Sequence, residues 1–127
     1  MSNDENDNSR KLGQQRELFK KLDNISISVN QMQDYFEEIL ELRGFGEQSA
    51  KDKLLLLMEE VGELAKALRK KEAALGIDRS KISSYESVES EIADVAIVLI
   101  SLCNVLHVNF LEAIIEKEKM NIRRTWN

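Results

Sequence analysis

Signals for the start of a helix occur four times along this 127-residue chain. At each signal, a Ser or Asn that can cap free backbone N–H groups is followed three residues later by a Gln, Asp or Glu that can cap in return. The four pairs are Ser28 with Gln31, Ser49 with Asp52, Ser83 with Glu86, and Asn109 with Glu112. The chain also has no proline and only 5 glycines, which favours helices joined by short loops over a turn-rich β fold. We therefore predict an all-α fold.

Apolar spacing and glycines locate the ends of the four predicted helices. The predicted spans are Ser28 to Gly44, Ser49 to about Leu75, Ser83 to about Leu106, and Asn109 to near Trp126. Residues 1–27 are predicted to be a polar N-terminal tail, disordered to about residue 13, with a short helix that could form over 14–22. Residues 28–127 are predicted to form a single helical domain.

Charge and cysteine content narrow the classes of partner and compartment. The net charge is −5, and acids and bases balance within residues 1–27, so the whole acidic excess lies in residues 28–127. That excess argues against a nucleic-acid partner. The longest apolar run, residues 92–106, is too short for a membrane span and contains Asp94, and the N-terminus lacks the apolar stretch of a signal peptide. With Cys103 as the only cysteine, we expect a cytoplasmic protein that does not bind membranes.

The third predicted helix is apolar nearly all round. One side carries Ile92, Val95, Ala96, Leu99, Leu102, Cys103 and Leu106, and the opposite side carries Ala93, Ile97 and Ile100. A helix of this kind must be covered on nearly every side, and four short helices of one chain cannot easily do so. We therefore expect a second chain to complete the burial.

Two predicted helices carry acidic pairs one turn apart. On the second helix, with Glu60 set at 0°, Glu63 falls at about 300° and the apolar arc at about 40–140°, so this pair lines the edge of the predicted core. On the third helix, Glu91 and Asp94 stand at i and i+3 among apolar positions. Acidic pairs are common on solvated helix faces, but a carboxylate facing a packed interface must be neutralised, paired or bound to a cation.

Four carboxylates would converge if the two helices pack antiparallel. An all-oxygen site of this kind suits Mg²⁺, with Mn²⁺ as a possible substitute. The ligands of a soft-metal site are missing, and the helical di-iron pattern needs a Glu-x-x-His motif that His107 does not provide. We interpret His107 as a residue at a helix end.

Three motifs in order resemble the signature of the MazG nucleotide pyrophosphohydrolases. Residues 59–67 read EEVGELAKA, residues 91–95 read EIADV, and residues 117–126 contain Lys117, Asn121, Arg124 and Trp126 in the spacing K-x-x-x-N-x-x-R-x-W. The likeness spans roughly residues 30–126. It implies a four-helix bundle of the all-α NTP pyrophosphatase type, completed as a homodimer or a dimer of dimers.

The resemblance also implies a reaction and its residues. Mg²⁺ would be held by Glu60, Glu63, Glu91 and Asp94, and water would attack the α-phosphorus of a nucleoside triphosphate and release pyrophosphate. Lys117, Asn121 and Arg124 stand at i, i+4 and i+7, where they could clamp the triphosphate, and Trp126 could stack on the substrate. The basic residues could instead complement the dipole at a helix C-terminus.

Two further interpretations remain open from the sequence. The chain could be another enzyme of the same fold, such as a phosphoribosyl-ATP pyrophosphohydrolase or a dimeric dUTPase, or a catalytically silent helical interaction module. Before the first motif, many family members carry a tryptophan and a His-x-Pro-like segment that helps to hold the base, whereas this chain reads RGFG over residues 43–46. The sequence therefore leaves the base and the sugar of the substrate open.

Overall fold

Our computed structural model of the chain describes residues 3–72 and 87–126. These ranges contain five α-helices and no strand. The helices are α1 (Asn3–Leu22), α2 (Val29–Leu42), α3 (Ala50–Glu72), α4 (Val88–Val105) and α5 (Phe110–Ile122). The prediction of an all-α chain is confirmed, with one helix more than the four that the capping signals indicated.

Capping boxes open α2 and α3 where the sequence placed them. The Ser28 hydroxyl accepts a hydrogen bond from the Gln31 backbone N–H at 3.0 Å, and the Gln31 side chain accepts from the Ser28 N–H at 2.8 Å. Ser49 and Asp52 exchange the equivalent bonds at 3.1 and 2.9 Å. Each box satisfies two N–H groups that a helix start leaves without an intrahelical partner.

The predicted cap can be compared with the structure for α5 but not for α4. The Asn109 side chain accepts from the Glu112 N–H at 2.9 Å, so the predicted cap of α5 is confirmed. The predicted cap of the third helix, Ser83 with Glu86, lies outside the described residues, as does Leu75. Helix α4 begins at Val88, where the Ser87 hydroxyl accepts from the Ser90 N–H at 3.1 Å.

The backbone conformation of the residues after α2, α4 and α5 shows where these helices end. Helix α2 stops at Leu42, and Gly44 then adopts a φ of +88°, a left-handed conformation that glycine adopts without steric cost. His107 lies in the turn after α4, at a φ of +56°, which confirms its interpretation as a helix-end residue. The prediction that the last helix extends to near Trp126 was wrong, because α5 ends at Ile122 and Arg123 forms its C-cap.

The expectation of disorder up to about residue 13 was also wrong over residues 3–13, which are helical. Helix α1 begins at Asn3, with acids in its first turn and Lys20 and Lys21 in its last, an arrangement that complements the helix dipole. Lys20 pairs with Glu17 at 2.7 Å, and α1 packs along α2. The short helix predicted over residues 14–22 lies within α1, and local charge pairing and this packing support the longer helix that the structure shows.

The chain divides into two compact units. The first comprises Met1–Gln48 and Cys103–Asn127 and therefore contains α1, α2, α5 and the last residues of α4. Its core lies along α2, where Tyr35, Phe36 and Ile39 are buried. The second comprises Ser49–Leu102 and contains α3 and most of α4.

One buried side chain ties together the elements of the first unit. The Gln33 amide on α2 donates to the Asn104 side chain at 3.0 Å and to the Val108 carbonyl at 2.8 Å, and its oxygen accepts from the Phe110 N–H at 2.9 Å. These bonds fix α2 against the end of α4 and the start of α5.

No single helix within residues 3–72 and 87–126 is long and apolar enough to cross a membrane, although α4 and α5 taken together reach the necessary length and hydropathy.

Candidate metal centre

Three carboxylates of the second unit converge. Glu60 on α3 and Glu91 and Asp94 on α4 each present one oxygen such that all three oxygens lie within 4.8 Å of one another. We call these three residues the carboxylate cluster. Glu91 is only 5% exposed, whereas Glu60 and Asp94 are half-buried. The i, i+3 spacing on α4 puts both of its carboxylates on one side of that helix.

The position of Glu60 on α3 differs from the sequence-based expectation. With Glu60 again set at 0°, the side chains of α3 are least exposed on the face from about 340° to about 60°. This face contains Lys53, Leu57, Glu60, Leu64 and Ala67. Glu60 therefore lies in the middle of the covered face rather than at its edge. The rest of the predicted apolar arc, including Val61 and Leu68, is exposed.

The surroundings of Glu60 disfavour its charged form. Burial is the largest cause that raises its pKa above the ordinary value of 4.5, followed by the charges of Asp94 and Glu91 and then of Glu59 and Glu63. Within residues 3–72 and 87–126, neither Glu60 nor Asp94 forms an ion pair with a basic side chain. Glu60 and Asp94 therefore contribute negative charge that a cation would stabilise.

The chemistry of the donor set fits a hard divalent cation. Carboxylate oxygens are the ligands that Mg²⁺ and Mn²⁺ prefer, and the three oxygens are close enough together to share one ion. Glu63, the fourth predicted ligand, is exposed, and its carboxylate does not belong to the group of three that converge. Its charge nevertheless contributes to the raised pKa of Glu60. Glu59 is also exposed.

The predicted substrate-binding residues belong to the first unit. Lys117 is exposed on α5 and, in the part of the chain that the structure describes, has no ion-pair partner, whereas the nearby Lys119 is paired with Glu116 at 2.8 Å. The Asn121 side chain donates to Glu118 at 2.8 Å. Arg124 lies two residues beyond the end of α5, so helical spacing alone does not place it on the same face as Lys117. Trp126 is 70% exposed.

Lys53 is a residue of this region that the sequence analysis did not single out. It is 4% exposed, and burial lowers the pKa of its ammonium group. Its place seven residues before Glu60, on the same face of α3, is the signal that could have identified it. A lysine is rarely this buried unless it has a specific partner.

Comparison with known families matches the larger part of the chain to a family model. The family model described as the MazG nucleotide pyrophosphohydrolase domain matches residues 48–126, more than half of the chain, and the match includes all four predicted carboxylates and the basic residues that follow. No curated protein and no solved structure matches the chain.

Proposed function

Because the chain belongs to the MazG nucleotide pyrophosphohydrolase family, we propose that it hydrolyses a nucleoside triphosphate to the monophosphate and pyrophosphate with Mg²⁺ as cofactor. The observation that carries this proposal is the carboxylate cluster, in which three oxygens from two helices lie within 4.8 Å of one another. A bound divalent cation would neutralise charge on the phosphate oxygens and lower the pKa of a coordinated water.

Each carboxylate of the site has a proposed role in the hydrolysis. The water oxygen bonds to the α-phosphorus while the bond from that phosphorus to the α,β-bridging oxygen breaks, and pyrophosphate leaves. Glu60, Glu91 and Asp94 would hold the cation. Glu63, whose carboxylate lies outside the three-oxygen group, would accept the proton that the attacking water releases.

Cations on and just after α5 are proposed to bind the triphosphate. Lys117 and Arg124 have no hydrogen-bond or ion-pair partner for their charged groups among the described residues, which leaves both available to phosphate oxygens. Asn121 lies between them in sequence and, together with Trp126, is included in the proposed substrate site.

A second copy of the chain is proposed to complete the bundle. Helix α3 exposes an apolar stripe with spacings of four, three, four and three residues: Leu54, Met58, Val61, Ala65 and Leu68. This spacing is that of the contact positions of paired helices. The side of α4 that carries Ala93, Ile97 and Ile100 is the second surface proposed for the partner: Ala93 is exposed and Ile97 half-buried in the single chain, whereas Ile100 is only 4% exposed.

The test is pyrophosphate release from a panel of NTPs and dNTPs in the presence of Mg²⁺. The panel includes dUTP and phosphoribosyl-ATP, because the other enzymes of this fold would be revealed by those substrates. Asp94→Asn is expected to reduce turnover by at least about 100-fold, since it removes one charge from the cluster. Glu59→Gln, a neighbouring exposed carboxylate outside the cluster, is the matched control and should retain activity.

Absence of turnover on the whole panel would reject the enzymatic function. Calorimetric titration with Mg²⁺ and Mn²⁺ then distinguishes the second candidate, a silent helical module, for which no divalent cation should bind.

A further inference from the structure

The end of α5 does not by itself fix the direction of Arg124. The helix stops at Ile122, two residues earlier, so the regular spacing of helical side chains no longer applies. The guanidinium carbon of Arg124 lies 5.2 Å from the centroid of the Trp126 ring. A cation at this distance from the face of an indole is attracted by the quadrupole of the ring.

The indole ring is itself held by the last turn of α5. Its Nε1–H donates to the Asn121 carbonyl at 3.3 Å. The same carbonyl accepts from the backbone N–H of Arg124 at 3.0 Å. Carbonyls at a helix C-terminus lack intrahelical partners, and these two donors, together with the Arg123 N–H, satisfy this one. Residues 124–126 therefore fold back on the helix end, with the ring and the guanidinium in contact.

From this arrangement we infer that Trp126 is a positioning residue, which orients the Arg124 guanidinium for a triphosphate. A guanidinium stacked on a ring keeps its N–H donors in its own plane, where they can bind phosphate oxygens in pairs. In residues 3–72 and 87–126, no hydrogen bond or ion pair occupies those donors. The inference rests on the proposed function, because it takes Arg124 to contact the triphosphate.

This role differs from direct stacking of Trp126 on the nucleobase. If Trp126 acts through Arg124, the ligand needs phosphates and no base. If Trp126 stacks on the base, a ligand without a base is insensitive to the tryptophan. Inorganic tripolyphosphate, which has the phosphate chain alone, separates the two roles.

The experiment measures binding of tripolyphosphate to the full chain in the presence of Mg²⁺. Trp126→Ala is expected to raise the Kd about 2- to 10-fold, the range that an exposed to partly desolvated cation–π contact supports. Trp126→Phe keeps a ring face for the guanidinium and should restore most of the affinity. Phe19→Ala, which removes a half-exposed aromatic on α1, is the control and should leave the Kd unchanged.

A double-mutant cycle identifies the route of the effect. Arg124→Ala combined with Trp126→Ala should bind no more weakly than Arg124→Ala alone, because the tryptophan acts through the arginine. Trp126 is the only tryptophan, so its fluorescence should also change when tripolyphosphate binds, and Arg124→Ala should abolish that change.

Three results would overturn the inference. An unchanged Kd in Trp126→Ala, or losses that multiply in the double mutant, would reject the positioning role and leave the proposed function intact. A wild-type chain that does not bind tripolyphosphate would also reject the positioning role, while the proposed function is decided separately by turnover on the nucleotide panel.

Discussion

The carboxylates of Glu60 on α3 and Asp94 on α4 approach within 4.8 Å of each other, although 34 positions separate them in the sequence. Glu91 lies within the same distance of both. Charges of one sign at this separation repel, and the half-burial of Glu60 strengthens the effect because less water screens it. Without a cation, electrostatic repulsion between these carboxylates therefore lowers the stability of the folded chain, and a divalent cation would remove this repulsion.

The pH dependence of stability should reveal this cost. The folded-state pKa of Glu60 is raised, so the contribution of its protonated form to stability is complete below the unfolded-state pKa and is lost as pH rises through the folded-state value. Glu60→Gln is neutral at every pH. In EDTA, its Tm advantage over the wild type should therefore grow as the pH rises above 4.5, the ordinary pKa of a glutamate side chain. Thermal unfolding followed by circular dichroism measures it, and a Tm difference that does not vary with pH would contradict the assignment.

Divalent cations should stabilise the wild-type chain. At a free concentration of about 100 times the Kd, Mg²⁺ or Mn²⁺ should add about 2.7 kcal/mol to the free energy of unfolding. Asp94→Asn should lose most of this gain. Glu89→Gln, an exposed carboxylate on the first turn of the same helix, should keep it. Equal gains in the two variants, measured by thermal unfolding with and without the cation, would place the cation elsewhere.

Substitution in the apolar stripe of α3 should separate the subunits. Met58 is 64% exposed in the single chain, so Met58→Asp places a charge where the partner helix would pack. Light scattering after gel filtration should report a monomer for this variant and a dimer or tetramer for the wild type. Ile25→Asp, at an exposed position outside the stripe, serves as the control. The proposal fails if the wild type is itself a monomer.

Two adjacent arginines distinguish phosphate binding from an effect on the helix dipole. Arg124→Ala should lower kcat/KM for a triphosphate by roughly 10- to 1,000-fold, the range expected for the loss of a charged contact to substrate. Arg123→Ala should change it little, although both residues follow the end of α5. The dipole explanation predicts instead a small loss of stability in each, under about 1 kcal/mol, and similar kinetics. Steady-state kinetics at matched folded fraction decides between them.

The buried hydrogen bonds of Gln33 should contribute more to the free energy of unfolding than the exposed capping-box bond of Gln31. Gln33→Leu leaves the Phe110 N–H and the Val108 carbonyl without their partner, which should cost about 2–4 kcal/mol of unfolding free energy. Gln31→Ala, which removes one bond of the exposed capping box, should cost about 1 kcal/mol or less. Urea unfolding measures both, and equal losses would show that burial adds nothing to the Gln33 contacts.

The sequence by itself determined what depends on neighbours a few residues apart. The caps at Ser28, Ser49 and Asn109, and the stop at Gly44, lie where the sequence predicted them because each is set by groups three or four positions away. The family was also recognisable from short motifs, and its match over residues 48–126 confirms it.

Only the tertiary structure decided which faces are covered. Periodicity shows that α3 has an apolar arc, but burial depends on contacts between distant segments, and these leave Met58 and Val61 exposed while half-burying Glu60. Gln33 is bonded to residues more than 70 positions away, which no local pattern indicates. Arg124 follows the early end of α5, and its guanidinium carbon lies 5.2 Å from the centroid of the Trp126 ring, a contact that helical spacing does not predict.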